Sequence, residues 1–244
     1  MTGWHPLWLR CCPGIPPHLT FEALAVVVGL VLVWRRRHGP RSPLPVTVMA
    51  LVGAVLGARG LGLLVDPAET WSLRHQLGGW MQQKTVVGGI LGGWLAVELT
   101  KHRLGITRST ADRFTDPLLV SMAVGRLGCF FSGVTDRTHG IPSTLPWAMD
   151  LGDGVLRHPL ALYEVAVLAL LAVVTRLPGI DTPLRWRVFV LGYMSWRFIS
   201  APLAPPAAVI GPLTTLQLAA LVGAGVAALG IWRHTPRSGV GHQK

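Results

Sequence analysis

The chain has 244 residues, half of them hydrophobic, and only 14% are charged where a soluble domain carries about a quarter. That composition argues against a soluble globular domain and leaves no room for a separate soluble unit beside the apolar runs. The net charge of +11 is compatible with nucleic acid, but the basic residues sit in short loops next to apolar runs, as in membrane proteins, so no nucleic-acid partner is expected.

In chain order, the first apolar run, Leu19–Trp34, has no basic stretch before it and ends at Arg35-Arg36-Arg37 instead of a small-residue cleavage site. It is expected to stay as a membrane anchor rather than be removed as a signal peptide. Leu44–Val65 follows, with Gly53, Gly57 and Gly60, then Thr85–Leu99, with Gly88, Gly89, Gly92 and Gly93. This spacing of small residues lets membrane helices approach closely. Asp116–Phe131 leads into an outer loop at about 132–158. Pro159–Thr175 begins with a proline suited to the first helical position, leaving His158 near the cap. Val188–Leu203 and Val209–Trp232 complete the set. The expected fold is an all-α polytopic membrane protein of about seven transmembrane helices, forming one domain over residues 1–244. With the N-terminus outside and the C-terminus cytoplasmic, fourteen Lys and Arg fall in inner loops and the tail. Five fall outside: Arg10, Arg74, Lys84, Arg137 and Arg157.

Three cations remain within spans or at their ends. Arg59 lies in Gly57-Ala58-Arg59-Gly60, Arg126 in Gly125-Arg126-Leu127-Gly128-Cys129, and Arg197 one helical turn beyond Tyr193. An arginine within a bilayer costs about 2.5–3.5 kcal/mol on insertion scales, so it is paired or functional. Guanidinium groups match phosphate through paired donors, which makes a phospholipid headgroup a natural guest; the alternative is internal pairing with Glu164 or Glu22. Glu164 falls one to two turns into its span and reads as an arginine partner before a catalytic acid. In the outer loop, Asp136 and His139 follow the Arg126 segment and are candidates for proton transfer, with His158 a further one or a capping residue. Cys129 is either a packing residue or a thiol beside Arg126. With Cys11 and Cys12 it makes neither a disulfide framework nor a metal site, so no metal or other cofactor is expected.

Taken together, Gly57-Ala58-Arg59-Gly60-Leu61-Gly62, Gly88-Gly89-Ile90-Leu91-Gly92, Gly125-Arg126-Leu127-Gly128-Cys129-Phe130, Arg157-His158-Pro159 through Leu162-Tyr163-Glu164, and Gly192-Tyr193 with Arg197-Phe198-Ile199 resemble the prolipoprotein diacylglyceryl transferase family. The resemblance implies transfer of diacylglycerol from phosphatidylglycerol to the lipobox cysteine of a preprolipoprotein, at the outer face of the bacterial inner membrane. It implies that Arg126 matches the essential arginine of the family's Gly-Arg motif, Arg197 the second arginine and Tyr193 the tyrosine one turn earlier; His139, Asp136 or His158 of this chain would then take the thiol proton. Arg59, Gly88, Gly89, Gly125, Gly128, Cys129, His158, Tyr163 and Glu164 would then surround the lipid substrate. The chain departs from the family where a histidine, an asparagine and two glutamates are expected. Those positions hold Val87, Cys129, Val134 and Ala201. A related lipid transferase with another acceptor, and a non-catalytic phospholipid-binding membrane protein, are the competing readings.

Overall fold

The computed structural model describes residues 5–12, 14–35, 44–65, 84–107, 109–135, 138–205 and 209–234. Among them are eight α-helices: α1 (Pro6–Cys11), α2 (Pro17–Arg35), α3 (Leu44–Val65), α4 (Val86–Arg103), α5 (Ala111–Ser132), α6 (Leu160–Val174), α7 (Thr182–Ser200) and α8 (Thr215–His234). Four of these, α2, α3, α5 and α8, are long and apolar enough to cross a bilayer, and α6 is a shorter apolar helix of 15 residues. Several of the loop cations counted in the sequence, among them Arg36, Arg37, Arg41, Arg74, Arg108 and Arg137, lie outside the described residues.

Helices α2 to α8 fall on the seven apolar segments, with their ends moved where local chemistry dictates. Residues Val209–Ile210 and Leu213–Thr214, expected to open the last helix, instead form a two-stranded hairpin, β3 and β4, turned at Gly211 with φ +65°. The helix begins after it because Thr214 and Gln217 make a reciprocal cap. The Thr214 amide donates to Gln217 Oε1 at 2.9 Å, and the Gln217 amide donates to Thr214 Oγ1 at 3.1 Å. Helix α7 starts six residues before the expected Val188, at Thr182, because Asp181 caps it by accepting from the Leu184 amide at 3.1 Å. Pro159 is the N-cap of α6, not its first helical residue: its ψ of 68° is not helical, so His158 sits one position further out. The short helix α1 was not expected from hydropathy. It is held by aromatic contacts of His5 and Trp8 with Phe130, Phe131 and Phe21, and by the His5 amide donating to the Phe131 carbonyl at 3.0 Å.

The glycine-rich helices α3 and α4 pack backbone to backbone. A Cβ on Gly57 would run into the Gly88 carbonyl oxygen, one on Gly88 into that of Gly57, and one on Gly92 into that of Gly53. Small residues at these positions therefore set the distance between the helices. The core gathers where α4, α5, α6, α7 and α8 meet, around Val87, Ile90, Leu119, Leu168, Leu171, Phe189, Val190, Tyr193, Met194, Ala220 and Ala227. By contrast α2 and α3 turn Leu24, Val27, Leu30, Leu51, Val55 and Leu56 outward, a surface suited to lipid and not to water.

Between α5 and α6 the chain forms a hairpin of β1 (Met149–Asp150) and β2 (Leu156–Arg157), paired Met149↔Arg157 and Asp150↔Leu156. Its two acids, Asp150 and Asp153, are structural. Asp150 Oδ1 accepts from the amides of Gly152, Asp153 and Gly154, and these bonds hold its carboxyl below the usual carboxylate range. Asp153 is lowered by its bonds from Arg157 Nε and Nη2, at 3.1 and 2.7 Å. Because both folded pKa values are depressed, the carboxylates support the hairpin above the unfolded value of about 3.9. That support is lost as pH falls through the folded values. Protection of the amides at residues 152–155 against exchange should therefore fall below about pH 4, and Asp150→Asn should show reduced protection already at neutral pH.

Candidate active site

Arg126 sits on α5 six residues from its end, Glu164 in the second turn of α6, and Arg197 three residues from the end of α7. The alternation of α5, α6 and α7 brings these positions to one end of the bundle. Glu164 is the centre of the cluster. Its Oε1 accepts from Arg126 Nε at 2.7 Å and from the Tyr193 hydroxyl at 2.7 Å, while its Oε2 accepts from Arg197 Nη1 at 3.0 Å. Glu164, Arg126 and Tyr193 are buried and Arg197 is partly open, with 22% of its side chain exposed. Arg197 Nε is buried with no hydrogen-bond partner among the described residues, so one donor of the cluster is unused. Arg126 Nη1 also contacts Cys129 Sγ at 3.7 Å, one turn along α5.

The structure shows the internal pairing of the arginines. They pair internally with Glu164 and still form a cationic cluster, because two guanidinium groups share one carboxylate. Glu22, the other proposed partner, pairs with Lys84 and lies 3.5 Å from His18. Arg59 is half-buried on α3 and stands outside the set bonded to Glu164. A Cβ on Gly88 would collide with Gly57 and one on Gly128 with Phe21, so these two serve close helix contacts, whereas a Cβ on Gly89 or Gly125 would make only ordinary contact with Ala54 and Ala58 or with Ala25. Tyr163, next to Glu164 on α6, points to the loop instead: its hydroxyl is 2.7 Å from Trp147 Nε1 and 3.2 Å from His158 Nδ1. His139 Nδ1 lies 3.2 Å from the Gly140 carbonyl oxygen. Asp136 falls outside the described residues. Of the positions where the chain departs from the resembled pattern, Val87 is a buried core residue and Val134 packs against Phe130, Leu151 and Ala161.

Sequence reasoning missed the far end of the same three helices. Asp116 of α5, with 8% of its side chain exposed, pairs with Arg176 at 3.0 Å and Arg185 at 3.1 Å. An acid early in α5 opposite arginines that end α6 and start α7 was the available signal. Ion pairs thus tie α5, α6 and α7 together at both ends.

The fold and the buried cluster define an integral, all-α membrane protein with a polar site at one end of its helices. The family model for prolipoprotein diacylglyceryl transferases matches residues 19–233, and the chain belongs to that family. A phosphatidylglycerol–prolipoprotein diacylglyceryl transferase of Gloeobacter violaceus is 28% identical, with 88% of each chain covered. One from Bordetella parapertussis is 30% identical over 75% of this chain and 77% of its own. One from Bifidobacterium adolescentis is 28% identical over 62% of this chain, which spans about half (53%) of that longer relative.

Proposed function

We propose that the protein transfers diacylglycerol from phosphatidylglycerol to the lipobox cysteine of a preprolipoprotein at the outer face of a bacterial inner membrane. In this reading α2 to α8 are seven crossings, with the N-terminus outside and the C-terminus cytoplasmic, so the Glu164 cluster lies toward the outer leaflet. The observation that carries the reading is charge: Arg126 and Arg197 share the single carboxylate of Glu164, which among the described residues leaves one positive charge unmatched in a largely buried site. A phosphodiester headgroup brings one negative charge and satisfies that excess, at the partly open Arg197 guanidinium.

In the transfer, the acceptor sulfur bonds to the glyceryl carbon as that carbon's bond to the phosphate oxygen breaks. The electron pair of the broken bond stays on the phosphate, which leaves as glycerol phosphate with its charge growing toward about −2. The arginines hold this developing charge more strongly than the bound lipid, so they act in the transition state more than in the ground state. Tyr193 and Glu164 keep the two guanidinium groups aimed. The thiol proton passes to a group of the outer loop, for which the sequence offers His139, Asp136 and His158. Membrane lipids surround the remaining helix faces, and the reaction uses no cofactor.

Complementation tests this reading. In a bacterium depleted of its own diacylglyceryl transferase, the wild-type chain restores growth and lipid-modified lipoproteins. A well-expressed wild type that restores neither would overturn it. A second reading, transfer from the same donor to a different acceptor, is favoured by one feature: the family's histidine position is filled by Val87, packed in the core. Labelled phosphatidylglycerol then marks a product other than a lipoprotein cysteine.

A further inference from the structure

The outer loop holds an open groove of about 740 Å³ whose lining includes Ser143, Leu145, Val155, Leu156 and His158. Beside it runs a short chain of hydrogen bonds. An indole N–H is only a donor, so Trp147 Nε1 donates to the Tyr163 oxygen at 2.7 Å. With the Tyr163 oxygen accepting from the indole, its proton is free to be donated, and His158 Nδ1 lies 3.2 Å away. His158 neutral at Nδ1 must carry its proton on Nε2, which has no hydrogen bond among the described residues. The neighbouring histidine has the opposite arrangement. His139 Nδ1 lies 3.2 Å from the Gly140 carbonyl, which can only accept, so the proton is on Nδ1 and Nε2 carries the lone pair. The two segments are pressed together. The Gly140 amide donates to the His158 carbonyl at 3.1 Å, and a Cβ on Gly140 would collide with His158.

We propose that Trp147 is a positioning residue: through Tyr163 it fixes His158 as a hydrogen-bond donor toward substrate oxygen, leaving His139 as the proton acceptor for the incoming thiol. The proposal rests on the transfer reading for its substrate, but its tautomer claim stands on the hydrogen-bond chain alone. The balance is simple. The thiol proton goes to His139 Nε2, and His158 donates without giving up its proton.

The test uses the full chain in phospholipid nanodiscs with ¹⁵N-labelled histidine, at a pH where histidine is neutral, with the His158 signals assigned by their loss in His158→Asn. The expected spectrum shows Nε2–H at His158 and Nδ1–H at His139. Trp147→Phe, which keeps the ring but removes the donor, shifts His158 toward the other tautomer and lowers kcat/KM for the acceptor peptide about tenfold. His158→Gln, whose amide keeps a donor but loses the imidazole, lowers kcat/KM about tenfold, whereas His139→Gln loses about 10²-fold or more. An Nδ1–H tautomer at wild-type His158, no change in Trp147→Phe, or equal damage from both glutamine variants would overturn the proposal. A wild type with the expected tautomers that releases no glycerol phosphate upholds the positioning chain and sinks the transfer reading instead.

Discussion

Arg126→Ala is expected to lower the release of glycerol phosphate from phosphatidylglycerol by about 10²–10³-fold, the loss typical when one group stabilising developing negative charge is removed. The reason lies in the cluster's charge. With both arginines present it carries one unmatched positive charge; without Arg126, Glu164 and Arg197 cancel and nothing remains to draw an anionic headgroup. Arg126→Lys restores the charge but not the Nε bond to Glu164 alongside other donors, so partial recovery is expected. Glu164→Gln acts in the opposite sense. It keeps the shape but strands two cations in a buried site, and breaking a buried pair costs about 3–5 kcal/mol. That variant should show a marked fall in thermal stability. Thermal unfolding measured beside activity separates the two effects: Arg126→Ala loses turnover even at temperatures where it remains folded.

Gly57→Leu is expected to prevent α3 and α4 from packing, and with it the accumulation of folded protein. Even a single Cβ at this position meets the Gly88 carbonyl oxygen and comes within 2.8 Å of Gly92 Cα, and neither is a flexible side chain that can step aside. Overpacking costs about 1–3 kcal/mol where side chains can adjust, and here backbone opposes backbone. Gly57→Ala should already lower the detergent melting temperature. Gly225→Ala on α8 meets nothing within 4 Å and should leave it unchanged. Equal behaviour of the two alanine variants would contradict the close α3–α4 contact.

The helices were legible because their apolar runs and bounding charges are strong signals, and the arginines stood out because charge in an apolar run is costly. Helix ends were less legible. Asp181 and Thr214 cap α7 and α8 through side-chain bonds that hydropathy does not register, so α7 begins early and α8 begins late. The pairing of Glu164 with both Arg126 and Arg197 was only half legible. A carboxylate in a span demands a cation, but which cation depends on how α5, α6 and α7 meet. Trp147 was not legible at all, since it lies sixteen positions before the Tyr163 whose hydroxyl it contacts. Nor was the structural use of Asp150 and Asp153, because an acid folding back on amides looks in sequence like an acid in water.

The most direct test is reconstitution of the purified protein in vesicles containing phosphatidylglycerol, with a synthetic lipobox peptide whose cysteine is the acceptor. The expected result is equimolar glycerol phosphate and a peptide heavier by one diacylglyceryl group in thioether linkage, both abolished or nearly so by Arg126→Ala. Well-folded wild-type protein that binds phosphatidylglycerol but yields neither product, or an Arg126→Ala variant as active as wild type, would contradict the account.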